Sequence, residues 1–131
     1  MKTIKQSVIF DCPAHAVYAA FMSEKKHAEF THAPASIEPK VGGKYTAYED
    51  GLVGEFIKLV PDELIGMKWR CVMDGWPEDH YSTITIELNQ TSDGTELELT
   101  QTDVPDACEE SIAAGWHEFY WEPMQELLDR D

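Results

Sequence analysis

The sequence predicts an α+β domain: an antiparallel sheet of about six strands, two short helices near its start, and one long helix lying across it. Three observations carry this reading. Apolar residues alternate with a period of two between Tyr45 and Asp103. They return to helical spacing from Ala107 to Leu128. The sheet then has one apolar face and the helix one apolar stripe, so each must cover the other. A length of 131 residues with 43% apolar content suits a single globular domain over residues 1–131 rather than a disordered chain.

Each element has its own signal. Thr3–Phe10 reads as the first strand, with Ile4, Val8 and Phe10 sharing a parity. Asp11 is a cap candidate for a first helix that has Pro13 in its opening turn and Ala14, Val17 and Phe21 at helical spacing. Ser23 would cap a second short helix reaching Phe30. Tyr45–Glu49 runs into Asp50-Gly51, a two-residue hairpin signal, and Leu52–Val60 ends at Pro61-Asp62. In Leu64–Val72, Ile65, Met67, Trp69 and Cys71 share a face opposite Lys68 and Arg70. Asp74–Pro77 is a loop. Ser82–Leu88 places Ile84, Ile86 and Leu88 inward, and after Asp93-Gly94 the residues Leu97, Leu99 and Gln101 share the inner face while Glu96, Glu98 and Thr100 meet water. The last helix carries the stripe Ile112, Trp116, Phe119, Pro123 and Leu127, joined by Tyr120 and Met124. Gly115 suggests a close approach of this helix to the sheet, and Pro123 a kink.

Charge and composition exclude several functions. With 25 acidic and 10 basic residues the net charge is −15, which opposes binding to nucleic acid and to anionic membranes. The longest apolar run, Ala16–Met22, is far short of the ~20 residues a spanning helix needs, and no apolar segment follows the N-terminal lysines as in a secretory signal. Cys12, Cys71 and Cys108 are odd in number and widely spaced, as in a reduced, cytoplasmic protein. A self-repelling surface favours a monomer.

No catalytic constellation emerges, and no metal or cofactor is expected. The nucleophile-elbow pattern is absent, and Cys71 has the parity of an inert core thiol. His15, His27, His32, His80 and His117 are scattered without metal-ligand spacing and read as surface or loop residues. Gly42-Gly43 and Gly51-x-x-Gly54 lie outside any strand-to-helix phosphate loop, so they read as turn and close-packing glycines. Glu49-Asp50, Glu78-Asp79 and Asp103 read as solvated charges. What remains is a partly filled cavity between sheet and helix. Its candidate lining is Met67, Trp69, Cys71, Ile84, Ile86 and Leu99 from the sheet, with Trp116, Phe119 and Tyr120 from the helix. Gln101 would add an amide inside an apolar interior. It must bond a neighbour, hold a water or meet a ligand, and a satisfied structural glutamine is the favoured reading.

Several motifs match a known family. Phe30–Ala35, Gly42-Gly43-Lys44-Tyr45, Gly54-Glu55-Phe56, Leu59-Val60-Pro61, Met67-Lys68-Trp69-Arg70, Trp76-Pro77-Glu78, Thr83-Ile84-Thr85, Thr95-Glu96-Leu97 and Gly115-Trp116 with Tyr120 keep their spacing over about three-quarters of the chain. Together they resemble the C-terminal domain of the activator of the 90-kDa heat-shock chaperone's ATPase, with Gly42, Gly43, Gly54, Trp76 and Gly115 as fold-motif positions. The resemblance implies the START-like, or Bet v 1-like, helix-grip fold and a non-enzymatic regulator whose partner is that chaperone. Members of the wider superfamily hold lipids, steroids or polyketides in the cavity, and a few catalyse cyclisation there. A small hydrophobic ligand is therefore the alternative partner, and a cyclase-like enzyme the third reading. Eukaryotic activators add an N-terminal domain that docks on the chaperone, for which 131 residues leave no room, so full activation is not expected.

Overall fold

A computed structural model describes residues 1–31, 35–47 and 51–128. The elements run β1 (Lys2–Phe10), α1 (Ala14–Met22), α2 (Glu24–Thr31), β2 (Ala35–Ile37), β3 (Lys44–Ala47), β4 (Leu52–Val60), β5 (Leu64–Cys71), β6 (Ser82–Thr91) and β7 (Gly94–Val104). A 3₁₀ turn at Asp106–Cys108 then leads into α3 (Glu109–Gly115), a π-helical stretch Trp116–Trp121 and α4 (Glu122–Leu128), which together form one continuous C-terminal helix. The sheet is fully antiparallel in the order β1-β7-β6-β5-β4-β3-β2. Its inner face and the C-terminal helix enclose the core, with α1 and α2 closing one end. This is the helix-grip fold, with seven strands in place of about six. The additional strand, β2, has only three residues, too few for a period-two pattern to register.

The alternation of β5, β6 and β7 holds. Ile65, Ile84, Ile86, Leu97 and Leu99 are buried while Lys68, Glu87 and Glu98 are exposed. Ser23 closes the start of α2, its hydroxyl accepting from the Lys26 amide at 3.3 Å. The cap of α1 differs from expectation. Pro13 takes the N-cap position without a side-chain bond, and the Ala14 amide donates instead to Gln90 Oε1, reaching over from β6, at 2.9 Å. A cap supplied 76 residues away leaves no local trace in the sequence. The expected turn at Asp50 and the pair Glu49-Asp50 lie outside the described residues, as does His32.

The C-terminal helix departs from its expected phase. Trp116, Tyr120, Trp121, Met124 and Leu128 are buried, whereas Phe119 is 47% exposed. The π-helical stretch has more residues per turn than an α-helix, so the inward stripe moves forward by one position. Trp121 takes the inward place expected of Phe119. Pro123 falls just beyond this widened stretch, at the second position of α4. Gly115 is not a close-contact glycine, since a β-carbon there would meet only the Phe119 ring, at 3.7 Å. Close packing occurs at Gly54, where a β-carbon would collide with the Lys68 carbonyl and the Tyr45 ring.

The helix is tied to the sheet's edge by Gln6, a second inward-facing amide. Gln6 Nε2 donates to the Ala113 carbonyl at 2.9 Å, and Gln6 Oε1 accepts from the Trp121 indole at 2.7 Å. Gln125 Nε2 adds a bond to the Ile9 carbonyl at 2.9 Å. These contacts cover part of the free edge of β1, which would otherwise invite pairing with another chain.

Candidate functional site

Two spaces lie between the sheet and the helix, separated by a wall of aromatic rings. The outer one is a groove of about 350 Å³. Leu52, Trp69 and Cys71 line it from the sheet, Val72 and Met73 from the following loop, and Ile112, Gly115, Trp116, Phe119 and Tyr120 from the helix. Phe119 thus leaves the core but stays at the groove, on its rim. Gly115 keeps the groove open, because a longer side chain there would point into it.

The wall is built by stacking. Trp69 packs edge-on against Trp76 at 5.5 Å and tilted against Trp116 at 6.0 Å. Trp116 stacks on Trp121 at 5.2 Å and tilts against Tyr120 at 4.9 Å. Its orientation is fixed by a polar relay. Trp116 Nε1 donates to Gln101 Oε1 at 2.9 Å, Gln101 Nε2 donates to Ser82 Oγ at 2.9 Å, and Ser82 Oγ donates to the Trp69 carbonyl at 3.0 Å. An indole N–H can only donate, so the amide oxygen must face Trp116. Both ends of Gln101 are therefore engaged by the protein, and it lines neither space. This is the arrangement of a bonded structural glutamine. Ile84, Ile86 and Leu99 are likewise packed core rather than groove lining. Trp76 is braced by its indole donating to the His80 carbonyl at 2.8 Å.

The inner space, about 20 Å³, lies behind Trp69, Trp116 and Tyr120 and is also lined by Phe21, His27, Tyr45 and Met67. His27 is buried, against its expected place on the surface. Its Nδ1 lies 3.4 Å from the Phe21 carbonyl and its Nε2 3.0 Å from the Tyr120 hydroxyl. A carbonyl only accepts, so Nδ1 carries the proton and Nε2 accepts from Tyr120 Oη. Burial holds this imidazole below its ordinary value, outweighing the Phe21 carbonyl, which favours the charged form. The Tyr45 hydroxyl is buried with no hydrogen-bond partner among the described residues. Burial, with lesser effects from Tyr120 and Tyr81, pushes its phenol well up, so it keeps its proton. Tyr45, His27 and Trp121 were missed in sequence. Only Tyr45 carried a signal, as part of the Gly42-Gly43-Lys44-Tyr45 motif, and its pairing with Gly54 appears only in the sheet register.

The Cys71 thiol at the groove is a weak nucleophile. Burial, then the neighbouring Cys108, pushes the Cys71 thiol up against a lowering by Arg70, which keeps the nucleophilic thiolate scarce. Among the described residues no group of three or more His, Cys, Asp or Glu could hold a metal ion. No helix among them is long and apolar enough to cross a membrane.

Comparisons with known proteins agree with this architecture. The family model described as activator of Hsp90 ATPase homolog 1-like protein matches residues 11–129. The mouse activator of 90 kDa heat shock protein ATPase homolog 1 is 36% identical over 112 residues, covering 86% of this chain and 32% of the relative. The mouse homolog 2 is 32% identical over 121 residues, covering 92% and 36%. The chain thus spans about a third of the length of these curated relatives. Among solved structures, an HSP90 activator from Plasmodium falciparum superposes with a TM-score of 0.91 at 22% identity, over 98% of this chain and 97% of that one.

Proposed function

This chain belongs to the activator of Hsp90 ATPase homolog 1-like family, and from that premise we propose that it is a non-enzymatic binding module that regulates a 90-kDa heat-shock chaperone. The observation that carries the reading is the 36% identity to a chaperone-ATPase activator over 86% of this chain. The groove supports a role in binding rather than catalysis: its thiol is held protonated and the nearby amide is engaged. The proposal includes a reducing, cytoplasmic setting in which Cys12, Cys71 and Cys108 remain free thiols.

The test is a titration of a 90-kDa chaperone's ATPase with the 131-residue chain. Weak stimulation is expected, because the chain matches only about a third of its relatives. Fusing an N-terminal anchor of the kind eukaryotic activators carry should strengthen apparent affinity by roughly 10²–10⁴-fold through effective concentration. Stimulation by neither protein overturns the proposal.

A second reading, a carrier of a small hydrophobic ligand, draws support from the groove, whose volume of about 350 Å³ is in the range of small-molecule pockets. Native mass spectrometry of the purified chain tests it. Gly115→Leu adds a helix-favouring side chain aimed into the groove, so it should abolish retention of a ligand while the fold persists. A wild-type chain that carries no adduct and binds no apolar probe excludes the carrier.

A further inference from the structure

Part of the outer sheet face, turned away from the groove and the C-terminal helix, carries charge opposite in sign to the whole molecule. The alternation that sends Tyr45, Phe56, Met67 and Trp69 inward sends Lys44, Glu55, Lys68 and Arg70 outward on β3, β4 and β5. The register sets Glu55 between Lys44 and Lys68. A bulge adds a further cation. Phe56 pairs with Met67 and Lys58 with Gly66, so β4 has one extra residue there, Ile57. A β-carbon on Gly66 would meet the Lys58 β-carbon at 3.3 Å and Ile57 Cγ1 at 3.7 Å, which places both side chains over Gly66 on this face. Ile57 is 41% exposed. The three strands thus present four cations, one carboxylate and an exposed isoleucine, a local charge of +3 in a chain of −15.

We propose that this face is a docking surface for an acidic, extended segment of a partner protein, bearing three or more carboxylates and an apolar side chain that meets Ile57. Size decides the occupant. Three strands at a spacing of ~4.8 Å make the patch about 10 Å wide, close to the screening length at 0.1 M salt. An acidic segment of a few residues lies wholly within reach of the four cations. A longer polyanion, such as a nucleic acid or an anionic membrane, extends past them over a body of charge −15 and is repelled. A second copy of the chain brings the same net charge and is opposed for the same reason. The floor of the patch is low, since Gly66 has no side chain and its neighbours across β6, Thr83 and Thr85, are short, so an extended backbone can approach the sheet. The surface lies on the opposite side of the sheet from the groove, and it requires neither the chaperone reading nor the carrier reading.

Fluorescence anisotropy of the full chain with a labelled peptide of about ten residues, all Asp and Glu except a central Leu, tests the surface. Binding that weakens as salt rises is expected. Lys58→Glu combined with Lys68→Glu should weaken it by roughly tenfold or more, because two attractions become repulsions. Lys25→Glu combined with Lys26→Glu makes the same change in net charge on α2, which packs against the C-terminal helix, and should weaken it by less than about twofold. All four lysines are exposed, so both variants should fold, and melting curves verify it. Lys58→Gln with Lys68→Gln carries the same comparison without charge reversal. An acidic peptide that does not bind overturns the proposal, as does equal weakening in the two double variants, which would trace binding to net charge alone. Equal binding of a peptide with Asn and Gln in place of Asp and Glu also overturns it. Tighter binding of a single-stranded oligonucleotide or of phosphatidylserine vesicles overturns the choice of a protein segment, and self-association abolished by Lys58→Glu with Lys68→Glu would assign the face to a second copy instead.

Discussion

Gln101 and Gln6 do the same work at two points along the C-terminal helix. Each is a sheet amide whose oxygen accepts the indole N–H of a helix tryptophan, Trp116 in one case and Trp121 in the other. Such bonds specify the seating of the helix more than they stabilise it, because the net gain is modest and the penalty for breaking one side is large. Gln101→Leu should therefore cost about 1–3 kcal/mol in urea unfolding by stranding the Trp116 N–H. Combining it with Trp116→Phe, which removes the stranded donor, should recover part of that loss as a favourable coupling energy in the double-mutant cycle. His27 gives a pH test at the same scale. Its proton affinity is lowered in the fold by burial, so its stabilising contribution is complete above the unfolded imidazole's pKa of about 6.5 and is lost as pH falls below it. Asp and Glu remain mostly ionised above about pH 5. The interval from pH 7 down to 5 should then show falling stability in wild type and a flatter profile in His27→Gln. Identical slopes would mean that His27 is not held neutral.

The C-terminal helix shows what a sequence can and cannot disclose about an element. Its existence, its extent to within two residues and its amphipathic character were legible, because a 3.6-residue period over about twenty positions is a strong signal. Its phase beyond Trp116 was not. The pattern Trp116, Phe119, Tyr120, Trp121 contains apolar residues on almost every side, so the period alone cannot say whether the stretch is wound as α or π. The π-helical stretch resolves this by turning Tyr120 and Trp121 inward and leaving Phe119 on the groove rim. Substitution separates the two windings. Trp121→Ala should cost about 3–5 kcal/mol as a buried large-to-small change, and Phe119→Ala less than about 1 kcal/mol. An α-wound helix would reverse that order. The sheet was more legible in β6 and β7, which alternate over eight or more residues, than in β4, whose alternation ends at the irregularity after Phe56, or in β5, where Gly66 is buried between Ile65 and Met67. The candidate site was legible in part. Trp69, Cys71, Trp116, Phe119 and Tyr120 do meet at the groove. The inner cavity was hidden, because it depends on β3 folding Tyr45 over Gly54 and on α2 delivering His27 to Tyr120, pairings 9 and 93 residues apart.

Across the whole molecule, the −15 charge is distributed over a body whose radius of gyration is about 14 Å for this length. At 0.01 M salt the screening length is about 30 Å, so charges across the entire fold repel one another, whereas at 0.1 M it is about 10 Å and only neighbours do. The unfolded chain is more expanded and feels less of this repulsion, so added salt should raise the melting temperature. The same field should keep copies apart, and sedimentation at low salt should report a monomer. One local contribution to the repulsion lies on the outer sheet face, where Glu87 of β6 stands directly opposite Glu98 of β7. Like charges in facing cross-strand positions are destabilising, and opposite charges there contribute roughly 0.2–1 kcal/mol. Both side chains are exposed, so reversing one leaves the core untouched. Glu87→Lys should thus stabilise the protein at 0.01 M salt by up to about 1 kcal/mol, combining the local pair with a net charge two units less negative. Screening should shrink the advantage steadily as salt rises to 0.3 M, and the variant's own melting temperature should climb less steeply than that of wild type. A stabilisation independent of salt would trace the effect to the strand preference of lysine rather than to charge. An absence of any effect at low salt would show that the repulsion is relieved by the flexibility of the two exposed side chains.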